Sequence, residues 1–211
     1  MRIVILGATG GTGKALVEQA LAADHEVVVV ARRPEALGLQ HPHLTVLKGD
    51  ARDAASLTPA FRGAEAIVSC VGVAGLLEAR KGTTLYSEGT RAICAAMADA
   101  GARRLIVVSS SGTEPQENDG WFFKNVLKPL FLEPIYKDMR VMEAELRTKD
   151  LDWTIVSPPY LTAGPVNPGY RVSDRGNVPN DKDLSRATLA HILLETAVRR
   201  LFVHKRVAVS D

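Results

Sequence analysis

Short runs that are apolar at successive positions recur along this chain: "IVIL" at residues 3–6, "VVVV" at 27–30, "LIVV" at 105–108. Side chains on a strand point alternately to its two faces, so a strand apolar at every position is covered on both. The same reading makes strands of "HEVVVVARR", "LTVLKGD", "AEAIVSCVG", "RRLIVVSSSG", "LDWTIVSPP" and, at the end, "RLFVHKRVAVS". Between them lie segments with helical spacing. Residues 15–23 place Leu16, Val17, Ala20 and Leu21 on one face, a helix over about 83–100 stops at Gly101, and residues 135–149 form another. Ser185 is placed to cap a helix carrying Leu189, Ile192, Leu193 and Ala197. Continuously apolar strands alternating with helices predict an α/β fold, a doubly wound parallel sheet. Two segments break the rhythm. Residues 112–134 hold three prolines and the aromatic stretch "GWFFKNVLKPLFLEP", and residues 162–183 hold three prolines and three glycines. Both follow the C-terminal ends of expected strands, where ligands bind in such sheets. They are read as lid segments, a small C-terminal, substrate-side appendage to a single domain spanning 1–211.

The first strand runs directly into "GATGGTGK". Gly7, Gly10 and Gly13 make the pattern G-x-x-G-x-x-G between a strand and a helix, the context in which such a loop binds the pyrophosphate of a dinucleotide. Gly7 permits the tight turn. Gly10 and Gly11 let the backbone approach the anion, and Gly13 lets the helix pack close to the sheet. The helix N-terminus offers free N–H groups and partial positive charge, with the Thr12 hydroxyl beside them. A nucleotide-binding loop of the G-x-x-x-x-G-K-[ST] type is excluded, because Ala15 follows Lys14.

About twenty residues further on, a carboxylate would accept from the ribose 2′-hydroxyl of NAD. Arg32 and Arg33 stand there instead, and guanidinium groups suit a 2′-phosphate. The bland alternative is a solvated surface pair. Asp50, after the third strand, is placed either to accept from the adenine amino group or to cap a helix starting before Ala54.

Composition narrows the function classes. The net charge is +2 with no long basic block, which argues against nucleic acid. The apolar run at 3–6 is too short for a leader peptide, and no stretch approaches the ~18 apolar residues of a membrane span. The two cysteines, Cys70 and Cys94, lie in apolar runs and read as buried small residues of a reduced, cytoplasmic protein. His25, His41, His43 and His204 lack metal-ligand spacing, so no metal is expected. His191 reads as structural.

The segments "GATGGTGKALVEQAL", "ARR", "KGDARDAASL", "SEGTRAICAAMADAGARRLIVVSSSG" and "RTKDLDWTIVSPPYL" resemble the atypical short-chain dehydrogenase/reductases. Among these, the similarity is greatest to the biliverdin reductase B (flavin reductase) group, then to the NmrA-like proteins. It runs from Met1 to about Ala197 and implies a Rossmann sheet with NADP(H) as cofactor. It further implies a phosphate loop at Gly7, Thr9, Gly10, Gly11, Thr12 and Gly13, a 2′-phosphate arginine at Arg32, and an adenine-side pair at Asp50 and Ala51. Ribose contacts are implied at Val71 and Gly72, a nicotinamide-side serine at Ser110 after Ser109, and a further turn at Pro158, Pro159 and Tyr160. Tyr160 stands where the flavin reductase has histidine.

The Tyr-x-x-x-Lys pair of tyrosine-dependent dehydrogenases is absent. "YKDMR" sets Tyr136 four residues before Arg140, and arginine is a poor substitute for that lysine. Tyr136 and Ser110 are the candidate catalytic residues, with plain packing and strand-end capping as their structural alternatives. Trp121, Phe122 and Phe123 are read either as core under a long loop or as a platform for a planar substrate. Three functions follow as expectations. The first is an NADPH-dependent reductase of a planar acceptor, such as a flavin, a quinone or a tetrapyrrole. The second, from the NmrA-like resemblance, is a non-catalytic NADP(H) sensor that acts on a protein partner. The third is a sugar-nucleotide epimerase or reductase.

Overall fold

The computed structural model describes residues 1–73, 82–114, 131–178 and 183–211. Its main sheet has eight strands. In chain order these are β1 (Arg2–Leu6), β2 (Glu26–Ala31), β3 (Leu44–Lys48), β4 (Ala66–Ser69), β5 (Arg104–Val108) and β6 (Asp152–Ser157). After a short strand β7 (Tyr160–Thr162) come β8 (Arg171–Ser173), the short β9 (Asp183–Ser185) and β10 (Lys205–Ser210). The spatial order is β3-β2-β1-β4-β5-β6-β10-β8; β7 and β9 form a separate parallel pair. All pairings in the large sheet are parallel except β10 with β8.

The register explains the unbroken apolar runs. Ile3, Ile5, Val27 and Val29 pack on one face against Leu16 and Val17 of α1 (Gly11–Ala22) and Leu189 and Leu193 of α5 (Arg186–Val198). Their neighbours Val4, Leu6, Val28 and Val30 turn to the other face. There they meet Leu57 and Phe61 of α2 (Ala54–Phe61), Ile93 and Met97 of α3 (Leu85–Ala100), and Met139 and Met142 of α4 (Glu133–Leu146). Both faces are covered, as a doubly wound sheet requires.

Polar groups inside this frame tie elements together. Arg104 opens β5 and is 2% exposed. Its guanidinium donates to the carbonyls of Asp152 (2.7 Å), Thr196 (3.1 Å) and Leu201 (2.8 Å), gathering two strands and the carbonyl end of α5. Burial, then the nearby Arg200 charge, lowers this guanidinium to about 10. Asp138 of α4 caps a different helix: its carboxylate accepts from the Tyr86 and Ser87 N–H groups of α3 at 2.8 and 3.3 Å. As expected, Gly101 ends α3 in a left-handed turn (φ +72°) and the Ser185 hydroxyl caps α5 by accepting from the Thr188 N–H at 3.0 Å.

Several expectations need correcting. Residues 162–183 are not only a lid: β8 lies within them and forms an edge of the main sheet. Three residues, "RVS", with little burial, give no apolar run to read. Cys70 and Cys94 are part-buried rather than buried. The N-cap of α2 is Asp53, whose carboxylate accepts from the Ala55 N–H at 3.1 Å, so Asp50 does not serve as that cap. Much of the expected lid at 112–134, including Trp121, Phe122 and Phe123, lies outside the described residues.

Candidate cofactor site

The strand order reverses between β1 and β4: after β1 the chain adds β2 and β3 on one side, then returns to place β4 on the other. The loops leaving such neighbours diverge and open a crevice at the carboxyl ends of the strands. A cavity of about 560 Å³ lies there. It is lined by Gly7, Thr9, Gly10, Gly11, Thr12 and Gly13 of the glycine loop, and by Arg32 and Arg33 after β2. Asp50 and Ala51 after β3, with Val71 and Gly72 after β4, complete the wall. All twelve residues were expected from sequence, and the structure brings them together.

The loop glycines serve different ends. Gly7 has φ +77°, and a Cβ there would meet the Cys70 carbonyl oxygen at 2.4 Å, so the turn presses against the end of β4. A Cβ on Gly13 would meet the Gly7 carbonyl oxygen at 2.4 Å, which is the close helix approach the motif predicts. Gly10 is unlike both. Its φ of −85° suits any residue, and among the described residues a Cβ there would meet the Gly7 oxygen at 3.4 Å. The packing of the described residues therefore does not demand glycine at 10, and the space over the loop is open to a ligand. Gly10 is also the N-cap of α1 and supplies no side-chain cap, which leaves the first-turn N–H groups open to an anion. At Gly11 a Cβ would meet Arg186 Cδ at 2.7 Å, so the packing of that side chain leaves no room for one.

Charge on the wall favours an anion. Among the described residues, the charged groups on it are Arg32, Arg33, Arg186 and the carboxylate of Asp50. Arg32 and Arg33 are exposed. Asp50 is held by its own loop: its carboxylate accepts from the Arg52 N–H (2.9 Å) and its N–H donates to the Ser56 hydroxyl (3.1 Å). Cys70 also lines the cavity, and burial pushes its thiol up to about 12, so it stands there as a neutral group.

Among the described residues, the other expected positions do not line this cavity. Ser109 is buried, and its hydroxyl donates to the Glu143 carboxylate at 2.5 Å. Glu143 also accepts from the Thr113 hydroxyl at 3.2 Å and faces the buried Arg206 of β10 at 3.4 Å. Arg206 reaches Glu114 at 3.0 Å and the Ser110 carbonyl at 3.4 Å. This buried cluster fixes the turn that follows β5. The Ser110 hydroxyl sits on that turn and accepts from the Gly112 N–H at 3.3 Å. The Pro158 carbonyl accepts from the Ser111 N–H (2.9 Å), linking the turns after β5 and β6. Pro159 is half-buried and Tyr160 is 77% exposed; Leu161, next to it, lines the cavity. Tyr136, on the buried face of α4, packs in the core, and a Cβ on Gly112 would meet its ring end at 2.5 to 2.7 Å. Arg140, in the place of the dehydrogenase lysine, donates to the Thr113 carbonyl at 3.3 Å and pairs with Glu133. Among the wall residues that were not expected are Leu161 and Arg186. Neither lies in the glycine motif, and only the fold carries them to it.

The crevice, the open helix end and the cationic wall define a dinucleotide-binding protein. The chain belongs to the NAD(P)H-binding family, whose profile matches residues 7–199. An uncharacterized protein of Mycobacterium tuberculosis is 34% identical over 117 residues, 55% of this chain and 13% of that protein. A (4-alkanoyl-5-oxo-2,5-dihydrofuran-3-yl)methyl phosphate reductase of Streptomyces griseus is 28% identical over 171 residues, 80% of this chain and 52% of the reductase. The chain thus spans about half or less of the length of these curated relatives. Among solved structures, an oxidoreductase of Lactococcus lactis matches with a TM-score of 0.81 at 21% identity, over 100% of this chain and 91% of the other. A short-chain dehydrogenase/reductase of Veillonella parvula, solved in complex with NADP, matches at 0.79 and 22% identity, over 100% and 94%. These likenesses are of fold. Among the described residues, no helix is long and apolar enough to cross a membrane.

Proposed function

We propose that this chain is an NADPH-dependent reductase that passes hydride to a planar acceptor, a flavin, a quinone or a tetrapyrrole, with residues 1–211 acting as one cytoplasmic domain. The observation that carries the choice of chemistry is the state of the Tyr136–Arg140 pair. Carbonyl reduction needs an acid to protonate the developing alkoxide. Tyr136 lies in the core and off the cavity wall, and Arg140 is engaged by Glu133 and Thr113. Reduction of a conjugated planar ring needs no such acid, since charge spreads over the ring and the proton arrives from water.

NADPH rather than NADH is supported by Arg32 and Arg33, exposed on the cavity wall where a ribose-binding carboxylate would otherwise stand. When bound, the dinucleotide supplies the hydride from C4 of its nicotinamide. The chain's own residues bind and orient it. The glycine loop receives the diphosphate, Asp50 and Ala51 flank the adenine, and Val71 and Gly72 flank the second ribose. Ser110, fixed by the Glu143–Arg206 cluster, stands at the reacting end. The reductase named among the relatives supports the reaction class.

The test is steady-state NADPH oxidation at 340 nm with FMN, a quinone, an aldehyde and no acceptor, side by side. Oxidation dependent on FMN or the quinone is expected. Oxidation with the aldehyde alone would turn the reading to a carbonyl reductase. Tight NADP(H) binding without turnover on any acceptor would turn it to the sensor.

A further inference from the structure

Arg186 is the first residue of α5 and lies far in sequence from the glycine loop, yet its side chain crosses that loop. Its Cδ sits 2.7 Å, and its Nε 3.3 Å, from where a Cβ on Gly11 would be. The residue is half-buried and lines the dinucleotide cavity beside Gly10, Gly11 and Thr12. Among the described residues no carboxylate pairs with it, whereas Arg91, Arg103, Arg147, Arg199, Arg200 and Arg206 each face an Asp or Glu. Its place in its own helix is also unfavourable. It sits at the positive end of the α5 dipole, and the first turn of α5 contains no acidic residue to offset it. A cation in that position, over an open helix N-terminus, lacks only an anion.

We propose that Arg186 is a clamp for the dinucleotide diphosphate, closing from α5 over the phosphate loop, and that Gly11 is glycine to make room for it. The proposal rests on the reading of this cavity as a dinucleotide site. It separates the wall into two arginine functions. Arg32 and Arg33 discriminate NADPH from NADH through the 2′-phosphate; Arg186 holds the diphosphate that all such dinucleotides share and does not discriminate. The guanidinium can hold two phosphate oxygens in a planar, two-pronged fork, a fixed geometry the lysine ammonium does not offer.

Titration calorimetry with NADPH, NADH and ADP-ribose tests this, on protein whose fold is checked by circular dichroism. ADP-ribose carries the diphosphate and lacks both nicotinamide and 2′-phosphate, so its binding is independent of any hydride chemistry. Arg186→Met should weaken all three by a similar factor, roughly tenfold, the size of a lost charge-assisted contact. Arg186→Lys should fall between wild type and Arg186→Met. Arg32→Ala should weaken NADPH alone. Gly11→Ala should cost a few-fold with Arg186 present and nothing in combination with Arg186→Met. Unchanged affinities in folded Arg186→Met, or a loss confined to NADPH, would overturn the clamp. An equal cost of Gly11→Ala in both backgrounds would return Gly11 to direct ligand contact and remove its part of the proposal. A wild-type protein that binds none of the three would overturn the dinucleotide reading itself.

Discussion

Two residues on the cavity wall give the sharpest expectations. Arg32 is exposed and lines the cavity. Arg32→Ala should therefore weaken NADPH by roughly 1.5–3 kcal/mol, the worth of a hydrogen bond to a charged group, and leave NADH nearly unchanged. Equal losses for both cofactors in calorimetry would contradict that assignment. Gly10 is the complementary case. Its backbone is ordinary and its Cβ direction is nearly empty of protein, so Gly10→Val should leave the melting temperature close to wild type while abolishing NADPH binding. Binding retained in a folded variant would make the loop a plain turn. Gly7 and Gly13, whose Cβ atoms would strike backbone at 2.4 Å, should instead lose stability when substituted, and this contrast separates ligand space from packing space within one motif.

The same separation shows what was legible in the sequence and what was not. The glycine loop, Arg32, Arg33 and Asp50 could be found because each follows a readable strand, and Ala51, Val71 and Gly72 because the family resemblance implies them; the fold brings these strand ends to one cavity. β8 could not, because three residues at a sheet edge, one exposed and two part-buried, carry no periodicity. Arg186 was missed because its partner loop is some 170 residues away and nothing local marks it. Charged groups that act inside the protein were equally silent: nothing in the sequence marks Glu143 and Arg206, whose side chains are 9% and 7% exposed and meet beside the turn bearing Ser110. Asp138 has the same character. Its carboxylate caps α3 from α4, so Asp138→Leu should leave two buried N–H groups without an acceptor and cost about 1–3 kcal/mol of stability. Asp138→Asn keeps an acceptor oxygen and should cost much less. Urea denaturation checks the pair, and equal midpoints for both variants would show that the cap contributes nothing.

Across the whole molecule, the large sheet separates its tasks by end. Arg104 gathers strands and the α5 terminus at one end, while the glycine loop, the arginines and the turn after β5 sit at the other. Helices on both faces hold the strand ends in fixed relation, which is what the proposed hydride transfer between two stacked rings would need. On that reading the acid of the tyrosine-dependent dehydrogenases has no part. Single-turnover oxidation of bound NADPH by FMN, in wild type and Tyr136→Phe, tests this directly, once folding and cofactor binding are checked. The account predicts FMN-dependent oxidation in both, with the variant within a few-fold of wild type; Ser110→Ala should cost more, about tenfold or 1.4 kcal/mol of barrier, through loosened placement. A loss of roughly 10²–10⁴-fold in Tyr136→Phe, the contribution of a general acid, would contradict it and make Tyr136 a proton donor with arginine in the lysine's place.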